Sequence, residues 1–409
     1  AEQSVRFWRA YANPVCSQSR ASLLTGRHVA RSGVGRWGNS WLTEFDMPLQ
    51  ELIIPEILSR SEWGYSTAAL GKWHLVRFEE GGEPGRHPLD AGFDRHRGSL
   101  ANPRFSFTPS TQDTDYFYWE KNTDGVLDFV DTYMTTDTTN EAILAAEELP
   151  EPWLLWVAYN GAHGPNHVPP IDLITEVPAE DADTPDLFDA MLEALDTEIG
   201  RLLAGVEAAT DRDTWIIFVA DNGTPGYAVR SPWRTSRSKG TVFEGGVRVP
   251  MLISGPDITA PGADTDALVH FVDLLPTIMD LADIDTTDLR KDNAAADPIT
   301  LDGQSLVPIL RAPSHTGFRD TVYTEQFQPG GAPPYDYHER TIRNDGFKLI
   351  QREEAGGVVS ESFYELDPVF VDEGFDLLSI GGLDETQQDA LRTLREALDE
   401  RMDVLQFEP

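Results

Sequence analysis

The sequence predicts a mixed α/β protein, a large sheet flanked by helices, followed by a small C-terminal α+β subdomain with an antiparallel sheet. Three observations carry this expectation. Continuous apolar runs of strand length, WLLWVAY (Trp153–Tyr159), WIIFVA (Trp215–Ala220) and VPMLIS (Val249–Ser254), read as buried central strands. Between the first two, apolar residues recur at helical spacing, so strand and helix alternate. After about residue 316 the pattern changes to short strands separated by turn residues. The 409 residues suit one large domain and a small one, divided as 1–315 and 316–409.

Each element has its own justification. Leu187, Met191, Leu195, Ile199, Leu202 and Val206 form one face of a helix whose other face is acidic, which predicts a crossover helix with a core-facing stripe. ALVHFVDLLPTIMDLA (Ala267–Ala282) predicts a second helix, kinked or started by Pro276. Asp283 to Asp302 is polar, acidic and without period, so a surface excursion is expected there. TVYTEQ, RTIRND-GFKLIQR and SFYELD predict antiparallel strands, with Asp345-Gly346 as a hairpin turn. Leu391, Leu394, Leu398, Met402 and Leu405 define a terminal helix opened by Asp384 and Gln387 as a capping box. No internal repeat is present.

Composition narrows the function. A net charge of −37 and an isoelectric point near 4.4 exclude the basic surface that nucleic acid requires. No apolar run approaches the roughly 18 residues of a membrane span. One cysteine, Cys16, cannot form an internal disulfide, so the oxidising state of the compartment is left open. No signal peptide is visible at Ala1. Only five lysines are present, Lys72, Lys121, Lys239, Lys291 and Lys348, which makes the position of each one informative.

Four stretches place reactive residues where strands end or loops begin. NPVCSQSRASLLTG leads Cys16 and Arg20 into a helix, whose unpaired N–H groups and dipole favour an anion and would lower a thiol pKa. A lone cysteine is otherwise a small buried hydrophobe. In ALGKWHL, Lys72 and His74 would face the same side of a strand, although each alone reads as a solvated lysine and a structural histidine. YNGAHGPNHVPP follows a strand and offers His163 and His167 to a metal or an anion, or neither. VADNGTPG ends a strand with Asp221 and Asn222, hard oxygen ligands or simply a turn, and SKGTVFEGGVRVP follows with Lys239 and Glu244. Asn222-Gly223-Thr224 also matches a glycosylation sequon, read as coincidental inside this loop. Together the four stretches supply cations for an anionic ester, acids for a metal and a nucleophile.

In order along the chain, CSQSRASLLTGR, GKWHL, HPLDAGFD (His87–Asp94), AHGPNHVP, ADNG and KGTVFEGGVRVP resemble the blocks of the type I, formylglycine-dependent sulfatases of the alkaline phosphatase superfamily. The C-terminal NDGFKLIQR, YELDP and terminal helix also fit, so the resemblance spans essentially the whole chain. It implies an alkaline phosphatase-like fold and hydrolysis of a sulfate ester to alcohol and inorganic sulfate. Cys16 would be converted to formylglycine (3-oxoalanine) by a formylglycine-generating enzyme. Arg20 and His74 would hold and deprotonate the hydrate of that group. Lys72, His163 and Lys239 would bind the sulfate oxygens, with His163 or Lys239 protonating the leaving oxygen. Asp221, Asn222 and the side chain at position 16 would hold Ca²⁺, or alternatively Mg²⁺. The substrate would be a small-molecule or carbohydrate sulfate ester, and the location periplasmic or secreted. Trp119, Trp233, Tyr116 and Tyr118 are candidates to stack on a sugar or aryl group, in rim loops Glu79–Arg86, Ala101–Asp115 and Tyr227–Ser238.

Two departures from the family pattern are legible. Gln18 stands where the family has proline, the residue that guides maturation of the cysteine. The family's strand ending in an Asp-Asp pair would precede Ala1, so this sequence is expected to be a piece of a longer protein or an impaired enzyme. Alternative readings are a phosphonate or phosphate ester hydrolase with the same nucleophile, or a catalytically impaired sulfatase-like binding protein.

Overall fold

The computed structural model describes residues 2–36, 45–77, 79, 82–291, 298–315, 317–367, 372–405 and 407. The chain divides into two compact units: residues 1–38 with 213–409, and residues 39–212. The expected mixed α/β class is observed, with its strands divided between two mixed sheets and a separate antiparallel one.

The chain opens on β1 (Val5–Tyr11), in the first unit. The second unit then contributes β2 (Ser66–Gly71), β3 (Arg95–Gly98), β4 (Trp119–Thr123), β5 (Val126–Val130) and β6 (Trp153–Ala158), in the order β5-β4-β3-β2-β6. β2 runs parallel to both β3 and β6. The Met134–Glu148 helix covers this sheet, packing Ala142 and Ala145 on Ala68 and Leu70. Small residues at both surfaces let helix and sheet approach closely. A glycine pair has a further consequence here. Gly71 ends β2 with φ +84°, and a methyl group on Gly98 would lie 2.0 Å from its carbonyl oxygen. No side chain fits between the two backbones, so the chain leaves β2 at a fixed angle into Lys72.

The long helix Thr184–Ala209 begins at Asp183, whose carboxylate accepts from the Asp186 N–H. It belongs to the second unit, whereas the strand that follows it belongs to the first, so it is a connection between sheets and not a crossover within one. Its buried face includes Met191 as expected, but also Glu198, which pairs with Arg201 and accepts from Thr136.

The first unit resumes with β7 (Ile216–Val219), β8 (Arg248–Ser254), β9 (Asp264–Thr265) and β10 (Val269–His270). The order β10-β1-β8-β7, with β9 also on β1, places β1 inside the sheet and β7 at its end. Val5, Phe7, Ile253, Leu274 and Leu306 are the centre of its core. The expectation of central strands holds for VPMLIS but not for the other two runs. Among the described residues β6 pairs only with β2 and β7 only with β8, and Ile216 and Phe218 are 37% and 41% exposed. An apolar run reports what both faces of a strand prefer; its lateral neighbours are set by topology, which leaves no local trace.

The Ala267–Ala282 stretch is less helical than its periodicity suggests. It contains β10, a single 3-10 turn and then a helix of only eight residues, Leu274–Leu281. His270 and Asp273 cap that turn, which halts the helix upstream of Pro276. Asp302, at the end of the expected surface excursion, is instead buried against Arg31 at 3.0 Å. Residues 292–297 of that excursion lie outside the described residues.

The C-terminal meander is β11 (Val322–Gln328), β12 (Tyr337–Arg343), β13 (Phe347–Glu354) and β14 (Val358–Glu365), each antiparallel to the next. Asp345-Gly346 turns β12 into β13 as the dipeptide predicts, with the Asn344 side chain accepting from the Gly346 and Phe347 N–H groups. The Glu385–Val404 helix lays Leu391, Leu394 and Leu398 on Ile342, Leu349 and Phe363. Each buried leucine there contributes about 1.5–3 kcal/mol. Asp384 and Gln387 form the expected capping box.

Candidate functional site

The candidate residues fall in both units, and each unit builds its share separately. In the first unit Cys16 is the first residue of the helix Cys16–Thr25, preceded by an extended Val15 that provides no side-chain cap. Its side chain therefore sits by backbone N–H groups that have no partner within the helix. The helix is polar yet buried, which requires its side chains to satisfy one another. The Asn13 backbone N–H donates to Ser19 Oγ and its amide to Ser22 Oγ, both at 3.0 Å. One turn on, Arg20 donates through Nη2 to Asp221 Oδ2 at 3.1 Å.

Asp221 and Asn222 lie just past β7, as the sequence indicates. Asn222 Nδ2 is held by the Gly223 carbonyl at 3.0 Å, while its Oδ1 is buried without a hydrogen-bond partner. That acceptor is the atom a cation would satisfy. Among the described residues no cluster of three or more His, Cys, Asp or Glu side chains gathers. Ca²⁺ takes roughly six to eight oxygens. The two donors fit a hard cation in kind and fall short of it in number.

Two loops interlock beside these residues. The Gly223 N–H donates to the Gly246 carbonyl at 2.8 Å, and a methyl group on Gly223 would sit 1.9 Å from the Gly245 carbonyl oxygen. Only glycine permits this contact. The Lys239 N–H donates to Thr224 O at 3.0 Å, and the Gly240 N–H to Pro14 O at 2.8 Å. Lys239 is thus tied through its backbone both to the Asp221 loop and to the segment entering Cys16.

Glu244 anchors the second loop from inside. Its carboxylate accepts from Tyr11 Oη at 2.8 Å, Lys348 Nζ at 3.0 Å and Arg343 Nη1 at 3.2 Å. Lys348 also pairs with Glu373 at 2.8 Å, and Glu373 accepts from the Glu244 N–H at 2.7 Å. All four charges are buried and balance two against two. Burial acts to raise the Glu244 carboxyl, but Lys348 and Arg343 outweigh it and hold it well below the ordinary range. For Glu373 burial wins, Lys348 offsetting it only in part, and its carboxyl is raised.

In the second unit Lys72 and His74 are not on a strand. β2 ends at Gly71, and the next three residues are tied by their N–H groups to Ala158, Ser99 and Leu100 carbonyls. His74 is left-handed, with φ +57°, a conformation uncommon outside glycine. The same-side argument from strand pleating therefore fails. Trp73, fully buried between them, anchors the turn through Nε1 to His87 Nδ1 at 3.2 Å. His87 Nε2–H in turn donates to the Met47 carbonyl at 3.1 Å. The His87–Asp94 stretch thus works as a support for this turn.

The buried Lys72 ammonium donates to Asn102 Oδ1 at 2.7 Å. His163 follows β6 on the expected loop. Its Nδ1–H donates to Gly164 O at 2.8 Å. Tyr116 fixes this loop. Its hydroxyl lies 2.8 Å from Asn160 O and 3.0 Å from His163 O, and accepts the His163 N–H at 3.1 Å. His167 is structural, packed among Tyr116, Phe117 and Tyr133 with Nε2 at 3.1 Å from Tyr133 Oη.

Sequence reasoning missed Asn102, Tyr116 and Asn160, which position the lysine and histidine. Nothing in the local pattern separates Tyr116 from Tyr118. The stacking candidates are corrected as well. Tyr116 and Trp119 are buried, because each aims its polar atom at backbone carbonyls within the core. Tyr118 stacks on Phe129 with centroids 5.2 Å apart. Trp233 alone of the four is exposed. Part of the Glu79–Arg86 loop lies outside the described residues.

The sulfatase family model matches residues 1–284, and the C-terminal model of N-sulphoglucosamine sulphohydrolase matches residues 237–367. An uncharacterized sulfatase, YdeN, of Escherichia coli strain K12 is 29% identical over 371 residues, covering 84% of this chain and 62% of its own length. Arylsulfatase J of Mus musculus is 29% identical over 297 residues, covering 69% of this chain and 47% of its own. N-acetylgalactosamine-6-sulfatase of Rattus norvegicus is 28% identical over 332 residues, covering 73% and 57%. The chain thus spans about half to two thirds of the length of these relatives. Among solved structures, Ps i-CgsB superposes with TM-score 0.75 at 23% identity, covering 100% of this chain and 87% of its own. BT4656 in complex with its substrate D-glucosamine-2-N,6-O-disulfate does so with TM-score 0.70 at 19% identity, covering 99% and 92%. On the match over residues 1–284, the chain belongs to the sulfatase family of the alkaline phosphatase superfamily.

Proposed function

We propose that the protein hydrolyses a sulfate ester of a carbohydrate to the free alcohol and inorganic sulfate. The observation that carries the reading is the Cys16 helix start, tied by Arg20 to Asp221 and by backbone hydrogen bonds to the Lys239 loop. It joins a nucleophile position, an oxygen-donor pair and a cation in one bonded framework. Three groups of relatives favour a carbohydrate substrate: the N-acetylgalactosamine-6-sulfatases by name, BT4656 by its bound glucosamine disulfate and Ps i-CgsB by its complex with a neocarrahexaose.

The roles follow from the resemblance and from the chemistry of each group. Formylglycine at position 16 would supply, as its hydrate, the nucleophilic oxygen and a second hydroxyl that releases the sulfate. By the resemblance, Arg20 would hold the oxygen carried by residue 16, and His74 would take its proton. By the same resemblance, Lys72, Lys239 and His163 would bind sulfate oxygens, and His163 or Lys239 would return a proton to the leaving alcohol. Asp221 and Asn222 are the residues that would hold Ca²⁺ or Mg²⁺, completed by oxygens beyond these two. Cys16 is 3% exposed and Gln18 is fully buried. A maturation enzyme therefore needs to reach this segment before folding closes over it.

The test is the mass of the peptide carrying Cys16 in protein from its native host, expected about 18 Da below the thiol form. Cys16→Ala should abolish release of sulfate from a sulfated monosaccharide. Unmodified thiol throughout, or hydrolysis surviving the substitution, would overturn the reading.

A further inference from the structure

Lys239 is aimed by its backbone alone: among the described residues its ammonium makes no hydrogen bond or ion pair. The peptide units around it are each held by a different segment. The Lys239 N–H donates to Thr224 O at 3.0 Å, and the Gly240 N–H to Pro14 O at 2.8 Å. The unit after these is held through its carbonyl, Gly240 O accepting from Gln326 Nε2 at 3.2 Å. Gly240 has φ +86°, and no atom lies within 4 Å of where a Cβ would stand. Packing therefore does not restrain it, and a glycine turns readily about both of its dihedrals. Hydrogen bonds have to fix this position.

Gln326, buried on β11, starts a row of side chains across three strands. It pairs in register with Glu339 of β12, and Glu339 with Arg352 of β13. Residues directly opposite on neighbouring strands share a face, and these bond in sequence. Gln326 Nε2 donates to Glu339 Oε2 at 2.6 Å, and Arg352 Nη2 to Glu339 Oε1 at 2.5 Å. The row decides which way round the amide sits. A carboxylate and a carbonyl both call for its N–H groups, so the flipped amide would set oxygen against oxygen. Gln326 Oε1 is left buried without a hydrogen-bond partner. An apolar side chain would avoid that cost but could not hold Gly240.

We propose that Gln326 is a positioning residue for Lys239. It fixes the Gly240 carbonyl, and together with Thr224 and Pro14 it gives the Lys239 side chain one direction of departure. Glu339, held by Arg352, keeps the Gln326 amide in its donating orientation. A lysine side chain is long and flexible, so a turn of the backbone at its root displaces the ammonium much further than the root itself moves. Small displacements of a charge that binds the reacting group are costly in rate. The antiparallel meander thus contributes to the site through a residue that touches no substrate. What Lys239 binds rests on the sulfate-ester reading; the tether that aims it does not.

Two measurements on the full chain test it: kcat for sulfate release from 4-nitrophenyl sulfate, and the Kd of inorganic sulfate by calorimetry. Gln326→Met, close to glutamine in volume, should lower kcat at least about tenfold and weaken sulfate at least about fivefold. In a Lys239→Ala background the same substitution should change either quantity by less than about twofold, because no ammonium is left to aim. A merely structural role would cost the same factor in both backgrounds. Glu339→Gln keeps the shape of the row and removes its charge. It should give a smaller loss with the same non-additivity, which guards against misfolding of Gln326→Met as the cause. Equal factors with and without Lys239, or values unmoved by Gln326→Met, would overturn the positioning while sulfate release left the hydrolytic reading standing. Non-additive sulfate binding without sulfate release would support the positioning and overturn the hydrolytic reading. A chain that neither releases nor binds sulfate would overturn both.

Discussion

Replacing Lys348 by methionine removes the one cation shared by Glu244 and Glu373, at 3.0 and 2.8 Å. Glu244 keeps Arg343 and Tyr11, whereas Glu373 loses its ammonium partner while still buried. Two routes give the magnitude. Breaking a buried ion pair from one side costs about 3–5 kcal/mol. Alternatively Glu373 protonates when folded; from the ordinary glutamate value of about 4.3 in the unfolded chain to pH 7.5 is about three units at about 1.36 kcal/mol each, or about 4 kcal/mol. The two routes agree, so Lys348→Met should lower the unfolding free energy by about 4 kcal/mol, read from urea denaturation at pH 7.5. The pH dependence has a definite sign. In the variant the folded state holds a proton on Glu373 that the unfolded state releases above its ordinary pKa. The loss should therefore shrink by about 1.4 kcal/mol for each unit of pH lowered from 7.5 towards 5. Adding Glu373→Gln should recover most of it at pH 7.5. A loss under about 1 kcal/mol, or one independent of pH over that range, would refute the electrostatic reasoning.

Other outcomes follow from the same geometry. His28 and His270 are buried with ring centroids 5.0 Å apart, and burial, then neighbouring charges (Arg401, Arg319 and Arg31 for His28; His28, Arg319 and Arg401 for His270), hold both far below the usual imidazole value. The unfolded chain takes up two protons that the folded one refuses, so stability should be complete above pH 6.5 and fall by up to about 2.7 kcal/mol per unit below it. Denaturation midpoints at pH 7, 6 and 5.5 check this, and His28→Phe with His270→Leu should flatten the slope. Tyr116→Phe leaves the His163 N–H without its acceptor and should cost about 1–3 kcal/mol while lowering kcat more than it changes KM. Arg20→Lys replaces the planar guanidinium whose Nη2 reaches Asp221 at 3.1 Å and should lower kcat at least about tenfold with little change in thermal midpoint, measured by sulfate release and calorimetry.

Much of the candidate site is read from the sequence because its residues lie in short, contiguous runs. Cys16 to Arg20, Asp221-Asn222 and Lys239 lie at a helix start and in loops, where turn residues and the ends of apolar runs mark their place. Support for those residues was not legible. Asn102 reaches Lys72 across 30 positions, Tyr116 reaches His163 across 47, and Lys348 reaches Glu244 across 104. No local pattern carries such distances, since only the folded chain brings them within a hydrogen bond. Lys348 shows the limit well: it was conspicuous as one of five lysines, yet its buried role follows from two carboxylates far away in sequence.

What the sequence determined by itself was the class of fold, the C-terminal meander with its Asp345-Gly346 turn, the capped terminal helix and the family. These rest on periodicity, turn chemistry and ordered motifs, all local properties. Tertiary structure decided which strands the apolar runs pair with, that Lys72 and His74 leave β2 through a left-handed turn, and that Asp302 goes inside. It also decided which aromatics remain outside: of Tyr116, Tyr118, Trp119 and Trp233, burial was set by where each polar atom found a partner. The physical reason is common to all of these. Local preference fixes what a segment tends to be, while pairing, burial and strain depend on neighbours that only the folded chain supplies.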